Sequence, residues 1–399
     1  MNPSKNSLAS QRSLVFITAE YPFGNQETFI ENEIFFLSEV FDHIIVLPKN
    51  NPGNPRKMPP NCTIGEAYGP KTSVVYSVFL WKEWLRVRGH LGKVKIIYRA
   101  WQSINKRIIQ IRDSTKESKG DIVYYSYWLD EGVAAAAYLA KLKGCSAISR
   151  AHGWDVYLSR HPYNFLPFRE YLADSPLTVC PISAHGMNAL RNQGFTKLNL
   201  FYLGTPPPKA LVTKPTPGHQ DIRYMVSVSS IIKLKRVQRI AEIFLELRKR
   251  DNRWHWHHFG DGPLEAQLKS WLAKRDADGY CLHGRQSNET VREWLGHHQD
   301  NTLFINQSTT EGVPVSMMEA MSYGIPCVGT RVGGVSEIID NGHNGLLHDV
   351  EVSPDLVVRS IERLDAESLK AMGESAKMTW ENRFNAEDNY ALFVNKLID

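Results

Sequence analysis

Two α/β domains, each a doubly wound parallel sheet, are the fold this chain predicts, on three observations. Short apolar runs alternate with amphipathic helical patterns, the rhythm of strand–helix–strand units. A proline-dense stretch, Leu203-Gly204-Thr205-Pro206-Pro207-Pro208 through Lys214-Pro215-Thr216-Pro217-Gly218, breaks that rhythm. Prolines at this density continue neither a helix nor a central strand, so the stretch reads as a linker. The rhythm then restarts at Tyr224-Met225-Val226-Ser227-Val228.

In chain order, Ser13 to Ala19 is a buried-strand run, followed by the loop Glu20-Tyr21-Pro22-Phe23-Gly24-Asn25-Gln26. Ile30, Ile34, Leu37 and Val40 then recur at helical spacing, and His43 to Leu47 is the next strand. Asp121 to Tyr125, Ser146 to Arg150 and Thr178 to Pro181 continue the strands, with an alanine-rich helix from Gly132 to Lys141. After the linker, Val237, Ile240, Ala241, Phe244 and Leu247 mark one helix face, and His255 to Phe259 and Tyr280 to His283 are strands. Sheets of this kind take ligands in the crevice at the carboxyl ends of their strands. The expected organisation is residues 1–204 as the first domain, 205–222 as linker, 223–376 as the second domain and 377–399 as a terminal helix.

Composition bounds the function. At 399 residues there is room for two domains, and 42% hydrophobic content is ordinary for a soluble globular protein. A net charge of +5 favours acidic surfaces without demanding nucleic acid. Five scattered cysteines, odd in number and never in a Cys-x-x-Cys pair, argue against a disulfide framework or a zinc site and for a reducing cytosol. No apolar run approaches the ~18 residues of a spanning helix. The start of the chain is polar, and Leu14-Val15-Phe16-Ile17 is too short for a secretory core.

The most informative stretch runs from Thr310 to Val328. Glu311 and Glu319 stand eight positions apart around a Gly312-Val313-Pro314 turn that feeds a short helix, Val315 to Tyr323. The N–H groups of Val313, Val315 and Ser316 then lie at a helix N-terminus, a ready anion site. Glu319 falls about 7 Å further along the axis at ~1.5 Å per residue, roughly the span from a diphosphate to its ribose. A carboxylate there accepts two hydrogen bonds from a ribose diol, while Glu311 points at whatever the diphosphate carries. The pattern reads as a nucleotide-sugar clamp.

Glu311 through Glu319, then Val332-Gly333-Gly334-Val335-Ser336-Glu337, then Asn341-Gly342-His343-Asn344-Gly345-Leu346-Leu347, resemble the donor-binding half of retaining GT-B glycosyltransferases of family 4. That family carries a Glu-x7-Glu motif, a Gly-Gly-x-x-Glu loop and an Asn-Gly-Leu turn. The resemblance implies two Rossmann-like domains facing across a cleft, the first binding acceptor and the second the nucleotide sugar. It implies no cofactor and no metal. The segment Trp380 to Ile398 resembles the family's C-terminal helix, which crosses back onto the N-terminal domain.

Family members hold the donor diphosphate with an arginine and a lysine after the second domain's first strand. Lys235 falls on the lysine position, but Ser230 stands where arginine is usual, leaving Lys233, Arg236 or a backbone N–H to take its place. Gly260-Asp261-Gly262 matches a family turn beside the nucleotide, and Arg285 follows a strand end that meets the base. His152, with Asp155 on the acceptor side, matches a His-Gly-x-Asp loop whose histidine lies beside the transferred sugar. Gly24-Asn25 matches the loop after the first strand, which in relatives is richer in glycine and nears the diphosphate. Glu27-Thr28-Phe29-Ile30 resembles members that build surface polysaccharides.

Two further features have competing readings. His255-Trp256-His257-His258 suggests a metal, but alternation puts His258 opposite His255 and His257, and no Cys or carboxylate cluster completes a site. Between Trp81 and Arg112 lie Lys82, Arg86, Arg88, Lys93, Lys95, Arg99, Lys106, Arg107 and Arg112 against Glu83, interleaved with Trp84, Tyr98 and Trp101. This is either an inner-membrane surface patch, suited to a lipid-linked acceptor, or a solvated helix face. No nucleic-acid-binding module accompanies the charge. The expectation is a cytoplasmic, peripheral enzyme moving a hexose from a UDP- or GDP-linked donor to a lipid-linked or oligosaccharide acceptor in capsule, exopolysaccharide or lipopolysaccharide synthesis. A sugar-nucleotide epimerase and a non-catalytic glycan-binding subunit are the alternatives.

Overall fold

The computed structural model describes residues 12–24, 27–69, 77–87, 89–118, 120–209 and 222–398. Asn25, Arg88 and the middle of the proline-rich stretch lie outside the described residues. The chain divides into two compact units, one of Met1–Phe201 with Tyr390–Asp399, the other of Tyr202–Asn389.

The first unit is built on strands β1 (Arg12–Thr18), β2 (His43–Pro48), β3 (Cys62–Ile64), β4 (Asp121–Ser126), β5 (Ala147–Ala151) and β6 (Leu177–Pro181). They form one six-stranded sheet in the order β3-β2-β1-β4-β5-β6, with every pair parallel. Val15 of β1 lies opposite Ile45 on one side and Tyr124 on the other. Leu14 and Phe16 join the core on one face, Val15 and Ile17 the core on the other. Burial on both faces is why the strand reads as an unbroken apolar run rather than an alternating one.

The helix Glu131–Lys143 is buried from Gly132 to Ala140, so it too has no polar face within that span. Asp130 caps it through the N–H of Gly132, and Gly144 ends it in the left-handed conformation. From the last helix, Ala386–Ile398, Phe393, Val394 and Leu397 pack in the same core as Leu14 and Phe16. A fully buried ion pair, Arg150 to Glu33 at 3.0 Å, anchors that contact, with the guanidinium 3.6 Å over the Phe393 ring.

The second unit repeats the topology. Strands β7 (Arg223–Val228), β8 (Trp254–Phe259), β9 (Tyr280–Leu282), β10 (Thr302–Ile305), β11 (Cys327–Thr330) and β12 (Gly345–His348) pair in the order β12-β11-β10-β7-β8-β9, again all parallel. The doubly wound reading of the sequence therefore holds for both units. The order reverses between β1 and β4 and between β7 and β10, and the loops leaving those strands are where such sheets place ligands.

The basic segment is two helices, Ser77–Val87 and Leu91–Ser114, and it is less of a surface than its charges suggest. Arg107 is 2% exposed and donates to the carbonyls of Leu47 and Thr18 at 2.9 and 2.7 Å. It caps the ends of β2 and β1 rather than facing an acidic partner. Arg86 pairs with Glu170 at 2.6 Å, and Glu83 is buried, accepting from the N–H of Phe168. Trp81, Trp84 and Tyr98 are exposed, whereas Trp101 packs against the core.

Candidate functional site

In the second unit, loops after β7 and β10 meet at the switch point. The backbone N–H of Thr309 donates to Leu234 O at 2.9 Å, joining the two. Lys235, at the end of a single turn of 3-10 helix, donates from Nζ to Glu311 Oε1 at 2.6 Å. Ser308 Oγ at 2.6 Å and Asn306 Nδ2 at 3.1 Å donate to the same oxygen. Burial alone would raise the Glu311 carboxyl, but the Lys235 charge and the three donors outweigh it, and the group sits below the usual carboxylate range. Glu311 is thus a fixed anion.

Four residues on, the helix Val315–Ser322 begins with Pro314 as its cap residue. Its first-turn amides, those of Val315 and Ser316 among them, have no intrahelical acceptor. Val313 is buried beneath the turn, and the turn is held from outside: Gly334 N–H donates to Gly312 O at 2.7 Å. A Cβ on Gly334 would overlap that carbonyl oxygen, so the Gly-Gly loop supports the anion-site turn by close approach. Glu319 lies on the same helix, 5% exposed, with Asn288 as hydrogen-bond partner and Arg292 nearby. Burial pushes its carboxyl up to about 7 in spite of both.

The loop after β8 folds against the loop after β7. Gly260, at φ +136°, and Gly262 leave no room for a side chain against the backbones of Ser229 and Ile231. Gly260 N–H donates to Gly284 O at 2.8 Å, and Arg285 pairs with Asp261 at 2.9 Å, so these two predicted residues hold each other. Ser230 is exposed in this loop. Of the candidates to replace the missing arginine, Arg236 is committed elsewhere, donating to Gln307 O and Val350 O at 2.7 Å each. Asn344, in the Asn-Gly-Leu turn, is buried and bonds Asp340 N–H, Ile338 O and Thr379 Oγ1.

In the first unit, His152 directly follows β5 and is the cap residue of the short helix Gly153–Val156. It is 8% exposed and stacked on Tyr127, centroids 4.7 Å apart, with Trp128 tilted against it at the same distance. Neither ring nitrogen has a hydrogen-bond partner among the described residues; Nδ1 lies 3.9 Å from Asp155 Oδ2, too far for a bond.

Asp155 is 3% exposed and accepts from His152 N–H at 2.5 Å and Leu129 N–H at 2.7 Å, fixing the loop that carries the histidine. One expectation is corrected here. Gly24 offers no amide to a diphosphate, since its N–H donates to Pro52 O at 3.2 Å. Just before it, the N–H groups of Ala19, Glu20 and Tyr21 are filled by the Glu27 carboxylate.

Asn306, Ser308 and Asn288 escaped the sequence reading. The signal for the first two was present: a polar run, Asn306 to Glu311, directly after the apolar strand β10 at the switch point. Among the described residues, no group of three or more His, Cys, Asp or Glu could hold a metal ion, and no helix is long and apolar enough to cross a membrane.

Two parallel doubly wound units, with a lysine–glutamate pair and a helix N-terminus at the switch point of the second, define a GT-B protein. Residues 214–379 match the family described as Glycosyl transferases group 1. An uncharacterized glycosyltransferase of Methanocaldococcus jannaschii is 25% identical over 273 residues, 66% of this chain and 73% of that one. The amylovoran biosynthesis glycosyltransferase AmsK of Erwinia amylovora is 28% identical over 207 residues, 50% of this chain and 48% of its own. The chain thus spans about half the length of that second relative. Sucrose-phosphate synthase from Thermosynechococcus elongatus shares the fold at a TM-score of 0.72 and 14% identity, covering 97% of this chain and 98% of its own.

Proposed function

We propose that the protein is a retaining glycosyltransferase of family 4 that moves a hexose from a UDP- or GDP-linked donor to a lipid-linked glycan in surface-polysaccharide synthesis. The observation that carries this reading is the 2.6 Å Lys235–Glu311 pair ahead of the helix Val315–Ser322. As the glycosidic bond to the diphosphate breaks, negative charge grows on the leaving oxygens. A lysine and first-turn amides are donors fixed in advance for such charge. With Oε1 of Glu311 taken by three donors, Oε2 is left for a hydroxyl of the donor sugar. Glu319 takes the ribose, and His152 the transferred hexose. No metal and no cofactor enter, the lysine and helix terminus supplying the positive potential.

The names of relatives support the polysaccharide setting. Besides the amylovoran enzyme, a putative colanic acid biosynthesis glycosyltransferase of Salmonella typhimurium matches at 24% identity. The exposed Trp81, Trp84 and Tyr98, with Lys82, Lys93, Lys95 and Arg99 around them, support a peripheral position on the inner membrane face.

The test is transfer of labelled hexose from a panel of UDP- and GDP-sugars to a lipid-linked acceptor, with and without EDTA. Wild type transfers, with the anomeric configuration kept and EDTA without effect, and Glu311→Ala does not. Transfer by Glu311→Ala at the wild-type rate sinks the assignment of that residue. Donor turnover without acceptor points to the epimerase, and no donor binding at all to the non-catalytic subunit.

A further inference from the structure

Glu27 touches none of the groups discussed as donor contacts, yet four hydrogen bonds end on it. Its Oε1 accepts from Ala19 N–H at 3.1 Å and from the indole N–H of Trp128 at 2.5 Å. Its Oε2 accepts from Glu20 N–H at 2.6 Å and Tyr21 N–H at 2.7 Å. The residue is 5% exposed, and its backbone sits in the left-handed region at φ +46°. A non-glycine residue stays there only where its surroundings over-determine it. An ionised carboxylate is the one side chain that accepts four donors and offers none.

The consequence lies one layer further in. Trp128 and Tyr127 form the aromatic faces against His152, and Phe29, two residues after Glu27, stacks on Tyr127 at 5.3 Å. Asp155 fixes the backbone of His152, but no hydrogen bond holds the imidazole ring among the described residues. The ring plane is therefore set by the aromatic faces, and the Trp128 face is anchored by Glu27. We propose that Glu27 is a positioning residue for His152, acting through Trp128 and the loop 19–21. Its relevance to transfer rests on the reading of His152 as the group beside the transferred sugar.

Glutamine is the discriminating replacement. Glu27→Gln keeps shape, but offers one acceptor oxygen and sets an NH2 against two of the four donors. The experiment is NMR of the full chain labelled with 13Cε1-histidine, the His152 signal being assigned by its loss in His152→Ala. In Glu27→Gln the His152 resonance moves, while those of His257 and His283 stay in place. A His152 signal that superposes on wild type overturns the proposal.

Kinetics give the second arm. Glu27→Gln lowers kcat roughly 10- to 100-fold, the scale of a misplaced reacting group, while the affinity for UDP is unchanged. In a His152→Ala background it lowers kcat no further. An equal loss in both backgrounds, the result a merely structural role gives, also overturns the proposal. If Glu27→Gln does not fold, Trp128→Phe, which keeps a ring but withdraws the indole donor, carries both arms. A wild-type protein that transfers no sugar defeats the proposed function instead, and the histidine spectra still decide this inference.

Discussion

At the scale of single residues, the site is a set of charges whose partners decide what each can do. Lys235 and Glu311 are both largely withdrawn from water, with side-chain exposures of 23% and 9%. Removing one leaves the other uncompensated, which costs more than removing both. Lys235→Met is expected to destabilise the protein by about 3 kcal/mol, and the double variant Lys235→Met/Glu311→Gln by less. Urea unfolding of the three proteins checks this, and equal losses would mean the pair is not coupled. Glu319 behaves in the opposite sense to Glu311. Burial lifts it to about 7, so between 4.5 and 7 the folded protein binds a proton that the unfolded chain has released. Its contribution is full below pH 4.5 and is lost as pH rises through 7, by about 3 kcal/mol in all. Glu319→Gln should therefore gain on wild type in urea as pH rises from 5 to 8. If instead the difference between them is flat with pH, the carboxyl is not buried in its neutral form.

The elements matter chiefly through where their ends are held. The helix Val315–Ser322 is short, and its N-terminal turn is positioned by Gly334 from the next loop rather than by its own sequence. Gly334→Ala puts a methyl group into the Gly312 carbonyl. The expected result is a displaced turn and donor affinity reduced roughly tenfold or more, read by titration with UDP or GDP, with the sheet's circular dichroism unchanged. Gly260→Ala meets two obstacles, a left-handed φ of +136° and the Ser229 carbonyl. It should cost about 2 kcal/mol or more of stability, and a thermal midpoint equal to wild type would show that the loops after β7 and β8 can separate freely.

For the whole molecule, titration and surface charge set the behaviour. Burial holds His257 and His258 down near 4, below their ordinary 6.5. The unfolded chain gains protons below pH 6.5 that the folded one refuses, so their stabilisation is complete above 6.5 and declines toward pH 4. For the fully buried His258 the decline is about 1.4 kcal/mol per pH unit. Glu319 slopes the other way over much of the same range and masks it. In Glu319→Gln the acid loss should steepen between pH 6.5 and 4.5, which stability measured across that window tests directly. The exposed aromatics of the helices Ser77–Val87 and Leu91–Ser114 predict binding to anionic vesicles that weakens as salt rises. Trp81→Ala/Trp84→Ala should reduce sedimentation with those vesicles, and no binding by wild type at low salt would remove the membrane reading.

Sequence by itself determined the two doubly wound sheets, because strands buried on both faces must be apolar throughout and the connecting helices must carry 3.6-residue patterns. It also marked Glu311 and Glu319 by their spacing around a Gly-Val-Pro turn, His152 by its place just past a strand and before a glycine, and Lys235 by its match to a family position. The short edge strand β3, only Cys62–Ile64, left too few residues for a pattern. What only the tertiary structure decided was which polar groups face ligand and which face the protein. Asp155, Gly24 and Arg107 carry the right chemistry for binding, yet each is consumed by backbone groups brought from elsewhere in the chain. Glu27 stood in the sequence only as part of Glu27-Thr28-Phe29-Ile30, with no role of its own, and proved to gather three amides and an indole, one of them 101 residues away. Periodicity and turn chemistry are local, so a sequence displays them; the pairing of a buried charge depends on distant backbone, and only the folded chain supplies it.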